Sequence, residues 1–524
     1  MSQIQEPADR GLRAGALGVA AITLMVVSAV APLTNMAGVL PVAILFGNGT
    51  AIVPAFILMM VLVLIFSVGY VTMARHVQNA GAFYTLITQG LGKSLGGAAA
   101  LIALLGYNCM QIGMSGMFGP VCTDLVKTFT GLDVPWWAFS LGASALIGVL
   151  AYRRVDLSAK VLGILVLAEF AVILILDLAI VLKGVPGGFD LAPLSLTGMP
   201  STSALGVTFV FAFGCYIGIE ATTLYSDEAR EPRKTIPRAT YAAVLLIGAF
   251  YSISTIWIVE AAGTSTIVSQ IQALGDPIQF VFNIANQYVG NWLAVTMRVL
   301  FVTSVFACLL AFHNHVARYF YYLGKEGMIP SWLGRTHDTH QSPHRGTVVQ
   351  TIIALATISI FAIAGLNPLL TLFAWVANIA VICIIVLMTL VSVAVIAYFA
   401  KNPTLEPNQP IKTKVMPALA TVGFALVAYF GISGFDILTG TPGPLAVALP
   451  SLILIAGIVG AIRAATRPAA MTKCRPGISF GRCFPNPPSV GSFLIQTLQV
   501  NQPVADDCRL TLSAHSSWRP RRRS

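Results

Sequence analysis

The chain has 524 residues, 56% of them hydrophobic and only 10% charged, with 31 Lys and Arg against 20 Asp and Glu and a formal net charge of +11. A soluble globular chain carries about a quarter charged residues, and the mean hydropathy of +0.81 excludes that class in favour of an all-α polytopic membrane protein. No nucleic-acid module is visible, so the positive charge is assigned to membrane topology and anionic headgroups and not to nucleic acid.

Apolar runs of about 20 residues, long enough to cross the hydrocarbon core, predict twelve spans. They lie near Ala16 to Phe46, Ala51 to Ala74, Leu95 to Cys122, Trp136 to Ala151, Ser158 to Leu182, Ser203 to Tyr225, Arg238 to Glu260, Trp292 to Arg318, Thr347 to Ala364, Leu369 to Phe399, Val415 to Phe430 and Pro444 to Ile462. The first run is too long for a signal-peptide core and lacks a small-residue cleavage site, so it is read as a retained span behind a short N-terminal segment, residues 1–15. With that segment placed in the cytoplasm and the loops alternating, every Lys and Arg falls on the inner side except Lys127, Lys183 and Arg298. The positive-inside rule then puts both termini in the cytoplasm of a multi-pass protein of the cytoplasmic (inner) membrane.

The first span contains Ser28-Ala29-Val30-Ala31-Pro32-Leu33-Thr34-Asn35-Met36-Ala37-Gly38, which places a helix-breaking proline, small side chains and two polar groups in mid-membrane. Ser28, Ala29, Ala31 and Pro32 are therefore candidate substrate-binding residues. In the third span Tyr107, Asn108 and Gln111 follow spacings that place them on one helix face, and Tyr107 and Gln111 are candidates to line a pocket. The fifth span carries Glu169 at its middle and Asp177 nearer its outer end. A carboxyl group in mid-membrane is expensive and marks a functional site by default, so Glu169 is the candidate coupling residue, taking up and releasing a proton as a cavity opens to either side.

The sixth span is the most informative segment. Phe209-Val-Phe-Ala-Phe213-Gly214-Cys-Tyr216-Ile-Gly218-Ile-Glu220 places two glycines and an acid in an apolar run, which then enters Ser226-Asp227-Glu228-Ala-Arg230-Glu-Pro-Arg233-Lys-Thr-Ile-Pro-Arg238. An apolar helix in lipid has no reason to weaken its own hydrogen-bond ladder unless a cavity or partner repays the loss. Phe213, Gly214, Tyr216 and Gly218 are candidate substrate-binding residues, and Glu220, Asp227, Glu228 and Arg230 are candidate gate residues whose ion pairs close the inner mouth. In the tenth span Trp375 and Asn378 are further cavity candidates. From Arg467 onward the chain is rich in Pro, Arg and Ser with no amphipathic period, and residues 463–524 are expected to form a disordered cytoplasmic tail.

Several other motifs fail. Gly92-Lys93-Ser94 resembles the end of a phosphate loop, but Ile87 stands where that motif needs glycine. His313 and His315 are two residues apart and point to different helix faces, while His337, His340 and His344 lie in a polar inner loop. The eight cysteines form no C-x-x-C pair, so no metal centre and no cofactor is expected. Asn48-Gly49-Thr50 is a sequon of a kind that arises by chance. An enzyme would need a nucleophile and base, a metal motif or a sizeable soluble domain, and the sequence offers none of these.

Interrupted helices at corresponding places in two five-helix halves point to an inverted-repeat secondary transporter with its site at the midplane. The run Phe213-x-x-Tyr216-x-Gly218-x-Glu220, with Asp227-Glu228-x-x-x-Pro232-Arg-x-x-Ile-Pro237-Arg-Ala239, resembles the sixth span of the amino acid-polyamine-organocation (APC) superfamily of permeases. So do Gly81-Ala-Phe83-Tyr84 and Leu310-Ala-Phe-His313-Asn-x-x-x-Arg318-x-x-Tyr-x-Leu-Gly324-Lys-Glu-Gly-Met-Ile-Pro330. The resemblance covers roughly residues 15 to 465. It implies a LeuT-type fold: a twelve-helix domain over residues 16–462, with repeat one at 16–182, repeat two at 203–399 and two extra helices at 415–462. It also implies alternating-access transport of amino acids or amines by a bacterial-type amino acid permease.

Two departures from that pattern bear on the site. Many relatives carry Gly-x-Gly where this chain has Ser28 to Pro32, and several carry a large aromatic at the position of Gly214, whose absence is expected to widen the pocket. Some proton-coupled members place a lysine at the position of Glu169, and the glutamate keeps titratability with inverted charge. The expected activity is proton-coupled amino acid transport, with sodium as the alternative ion; the resemblance implies that Thr303 and Ser304 of the eighth span would be the residues of a sodium site, since paired hydroxyls there serve sodium in some proteins of this fold. Polyamine or other organic amine transport or exchange, or a transport-inactive nutrient receptor, are the alternative functions. The expected partners are a small-molecule substrate and the lipid bilayer, with the protein a monomer or homodimer.

Overall fold

In the computed structural model the described residues are 17–77, 83–153, 159–190, 194, 202–225, 229–335, 343–440 and 443–466. Among them are nine helices long and apolar enough to cross a membrane, joined by shorter apolar helices. Residues 463–466 continue the last helix, and the rest of the expected tail lies outside the described residues.

The first span is two helices, α1 (Val19–Val30) and α2 (Leu40–Phe46), joined through Ala31 and a π-helical stretch, Thr34–Val39. The interruption has a local cause. Pro32 offers no N–H and excludes the right-handed helical region for the residue before it, and Ala31 adopts φ 53° and ψ 75°, a left-handed conformation unusual for a residue with a side chain. The second span is α3 (Ile52–Ala74), and the short α4 (Phe83–Leu91) leads into α5 (Lys93–Thr130). The next spans are α6 (Trp136–Tyr152) and α7 (Ala159–Lys183).

The sixth span is again interrupted: α8 (Thr202–Gly214) ends in a turn over residues 215–218, and a 3₁₀ stretch, Ile219–Tyr225, continues it. Gly218 has φ +116° in that turn, a conformation side chains rarely tolerate, so a glycine is required there. The seventh span, α9 (Pro232–Ala262), starts six residues before the sequence-based boundary, because Pro232 at a first helical position needs no N–H partner.

Two amphipathic helices, α10 (Ile267–Leu274) and α11 (Gln279–Tyr288), fill the following loop before α12 (Asn291–Lys325). The remaining spans are α13 (His344–Ile363); a π-helical Pro368–Ala377 running into α14 (Asn378–Lys401); α15 (Met416–Ser433); and, after the short α16 (Phe435–Thr439), α17 (Pro444–Thr466). At 38 and 35 residues, α5 and α12 are about 57 and 52 Å long at 1.5 Å per residue. Both far exceed a hydrocarbon core of about 30 Å, so each tilts or projects from the membrane. Gly38 allows the re-entrant part of the first span to press against α5 and α12, since a side chain at that position would collide with Met117 and Phe301.

The two interrupted spans lie side by side. Leu17 and Ala229 form an isolated parallel bridge, in which the Arg230 N–H donates to the Leu17 carbonyl at 3.0 Å. The core around the two breaks is apolar and fully buried, with Phe213, Tyr216, Tyr251 and Phe56 among its largest side chains.

Candidate functional site

Each interruption frees backbone groups that lipid cannot satisfy, and the structure answers with side chains. The Val30 carbonyl, at the end of α1, accepts from Asn35 Nδ2 at 2.7 Å, and the same amide lies 2.7 Å from the Tyr251 hydroxyl of α9. Across the break, the Leu33 N–H donates to Glu169 Oε2 of α7 at 3.0 Å. The Thr34 hydroxyl donates to Ser304 Oγ of α12 at 2.8 Å, and Ser304 in turn is hydrogen-bonded to the Glu169 carboxyl group. Glu169 is 2% exposed. It thus sits at the N-terminus of the re-entering half of the first span, the end of a helix that favours an anion.

The sixth span repeats the arrangement with its own residue. Glu220 Oε2 accepts the Gly218 N–H at 2.8 Å, and Glu220 Oε1 accepts from the Tyr107 hydroxyl of α5 at 3.2 Å. The Glu220 carbonyl accepts from the Tyr70 hydroxyl of α3 at 2.8 Å, and Tyr70 also meets the Thr223 hydroxyl at 2.6 Å. A tyrosine row runs on from Tyr107 to Tyr319, with ring centroids 5.4 Å apart, and from Tyr319 to Tyr84 at 6.4 Å. Tyr84 reaches Glu326 Oε1, just beyond α12, at 3.4 Å.

The sequence candidates are distributed unevenly over this geometry. Ala31 and Pro32 form the first break, and Glu169, Glu220, Tyr107 and Gly218 meet the two breaks directly. The Ser28 hydroxyl bonds to the Leu24 carbonyl within α1, and Ala29 is in the last turn of that helix. Phe213 packs edge-on against Phe424 of α15 at 5.5 Å, and the Tyr216 hydroxyl donates to the Phe56 carbonyl at 2.9 Å. Gly214 faces α14, where a Cβ would come within 3.2 Å of Val381 Cγ2, so the space the absent side chain leaves is bounded by valine.

Gln111 is directed away from the breaks. It accepts from Gln350 Nε2 of α13 at 2.7 Å, while Asn108 bonds to the Leu104 carbonyl, so the polar stripe of α5 is shared between different neighbours. Helix α5 is buried on several faces, and spacing alone does not say which face meets the breaks. Thr303 bonds to the Leu300 carbonyl of its own helix while Ser304 faces Glu169, so these two hydroxyls do not converge. The Trp375 indole donates to the Leu438 carbonyl, Asn378 bonds to the Ala374 carbonyl, and Asp177 accepts from the Ser254 hydroxyl at 2.6 Å.

Of the gate candidates, Arg230 is exposed, with its backbone in the Leu17 bridge. Asp227 and Glu228 lie outside the described residues. Next to them Glu231 and Lys234 form an exposed ion pair at 2.6 Å, and the ammonium holds the Glu231 carboxyl below the usual range.

Sequence reasoning singled out neither Tyr251 nor Tyr70, because each makes its contact more than 100 residues away in the chain. The signal for Asn35 was present: a short amide just past a proline break, able to replace lost backbone donors.

Two interrupted spans thus meet side by side, with a carboxylate on the Leu33 N–H at one break and on the Gly218 N–H at the other. The profile of the amino acid permease family matches residues 17–463. The chain belongs to that family. It is 24% identical over 326 residues to the branched-chain amino acid permease BcaP of Bacillus subtilis (strain 168), covering 58% of this chain and 66% of that relative. It is 23% identical over 316 residues to the low-affinity putrescine importer PlaP of Escherichia coli (strain K12), with the same two shares. It is 21% identical over 401 residues to the methylthioribose transporter of Bacillus subtilis (strain 168), covering 74% of this chain and 82% of that relative. The chain spans just under two thirds of the length of the first two of these family members.

Proposed function

We propose that this family member is a secondary active transporter that moves amino acids across the cytoplasmic membrane by alternating access, coupled to protons through Glu169, with both termini in the cytoplasm. The observation that carries the reading is the Glu169 carboxylate on the Leu33 N–H at the first break. An amino acid presents a carboxylate of its own, and the N-terminus of a re-entrant half-helix is where such a group binds. Glu169 and the substrate carboxylate therefore compete for one donor. Protonation of Glu169 removes its charge and weakens its hold on that N–H, so proton uptake and substrate binding assist each other.

The separation of Thr303 from Ser304 supports protons over sodium as the coupling ion. The likeness to BcaP supports an amino acid, and the likeness to PlaP keeps a cationic amine as the second reading. Against the second reading, both oxygens of Glu220, a buried carboxylate able to attract an ammonium, are already engaged by Gly218 and Tyr107.

The test is uptake of a labelled panel of amino acids and amines into proteoliposomes, with and without an inward proton gradient. Acid-stimulated uptake of amino acids supports the proposal. Uptake that needs sodium and ignores pH overturns the coupling, uptake of amines alone overturns the substrate class, and binding without uptake replaces transporter with receptor.

A further inference from the structure

A cavity of about 300 Å³ opens on the membrane-facing side of the bundle between α6 and α13. Ala145, Gly148 and Val149 form one wall, and Thr351 and Ile352 line the other. Val149 and Ile352 are 52% and 60% exposed, so its lips face hydrocarbon and not protein. The floor is set by Gly148, which has no side chain and lets the Thr351 side chain approach the α6 backbone. From Ala145 to Arg153 the groove follows α6 for about 12 Å at 1.5 Å per residue.

One end of the groove is polar. Arg153 lines it there with an exposed side chain beside Tyr152, whose ring lies 6.0 Å from that of His344 at the start of α13. Helix α6 has 17 residues, about 25 Å, which falls short of a hydrocarbon core of about 30 Å. A short span draws the headgroup layer towards its ends. The guanidinium of Arg153 is therefore at headgroup level when the aromatic pair Trp136 and Trp137 holds the other end of α6 in the opposite interface.

We infer that this groove is a binding site for one anionic glycerophospholipid, with an acyl chain along Gly148 and the phosphate on Arg153. The walls are mainly apolar, the hydroxyls of Thr347 and Thr351 are engaged by the Pro343 and Thr347 carbonyls, and among the described residues the only charged group lining the groove is the Arg153 cation at its interfacial end. Guanidinium matches phosphate oxygens in a two-pronged geometry, which distinguishes an anionic headgroup from a zwitterionic one that brings its own cation. The inference concerns a face of the protein away from the two helix breaks and stands whatever the transported solute is.

The experiment uses the full chain, delipidated in detergent and titrated with phosphatidylglycerol or phosphatidylcholine of identical acyl chains, with bound lipid counted by native mass spectrometry. A basic residue near the surface is worth about fivefold in affinity, so the wild type is expected to retain phosphatidylglycerol about fivefold better than phosphatidylcholine. Arg153→Gln should remove that preference, and Ala145→Phe, which fills the groove from an exposed position, should lower retention of both lipids. Val149→Trp on the same wall serves if Ala145→Phe does not fold. Equal retention of the two lipids by the wild type, or failure of either substitution to lower phosphatidylglycerol retention, overturns the inference.

Discussion

Glu169→Gln isolates the charge from the shape. The amide is the same size as the carboxyl group, and its oxygen can still accept the Leu33 N–H that now lies 3.0 Å from Glu169 Oε2, so the fold at the break is expected to survive. What the substitution removes is a proton that can be bound and released. For one proton per solute, an inward gradient of one pH unit is worth about 1.4 kcal/mol, or about tenfold accumulation. In proteoliposomes the wild type should concentrate substrate by about that factor per pH unit. The glutamine variant should equilibrate labelled substrate across the membrane with no accumulation and no response to pH. Glu169→Leu is the harsher control: it orphans the buried Leu33 N–H, which costs about 1–3 kcal/mol and should lower the melting temperature where glutamine does not. Gradient-driven accumulation by Glu169→Gln at the wild-type level would refute the coupling role.

Three further outcomes follow from the same geometry. Asn35→Leu leaves the Val30 carbonyl without its side-chain donor and should cost about 1–3 kcal/mol and abolish uptake; Tyr251→Phe, which spares that bond, should cost about 1 kcal/mol, both read by thermal melting and uptake. Arg298 pairs with Asp124 and donates to Gln279 Oε1 at 2.7 Å, fixing α11 to α5 and α12; Arg298→Gln leaves the partly buried Asp124 with Gln279 Nε2 as its remaining side-chain donor and should destabilise by about 2 kcal/mol, with limited proteolysis between α10 and α12 as a second readout. Burial raises the Glu326 carboxyl group to about 7 against an opposing hydrogen bond from Tyr84. The native state therefore holds a proton that the unfolded chain has released, and stability should fall as pH rises from about 4.5 to about 7 and stay level above. Melting curves of Glu326→Gln should show a shallower fall across that window.

Much of this architecture was legible because lipid imposes a blunt rule: twenty apolar residues make a span, and a proline or glycine inside one must have a reason. Pro32 and Gly218 announced both breaks, and the structure turns the chain at Ala31 and Gly218. Boundaries were less legible where helices project beyond the apolar run. Nothing in the hydropathy of Lys93, Lys127 or Lys325 says that α5 and α12 extend as far as them. The short helices α4, α10 and α11 were missed because they are amphipathic and below spanning length. The site was half legible. A carboxyl group such as Glu169 or Glu220 stands out in an apolar run, but its partners do not: Leu33 is 136 residues from Glu169, and Tyr107 is 113 from Glu220. Gln111 shows the limit of spacing arguments, since a helix buried on several sides offers more than one neighbour to a polar side chain.

The bridge between Leu17 and Ala229 has a mechanical meaning. It fastens the entry of α1 to the segment that follows the sixth span, beyond the carboxylates at both breaks. A hinge at Ala31 and a hinge at Gly218 would otherwise give two independent levers, each free to swing on its own. With the bridge in place, such levers could separate only by breaking that backbone hydrogen bond, a contact worth about 1 kcal/mol.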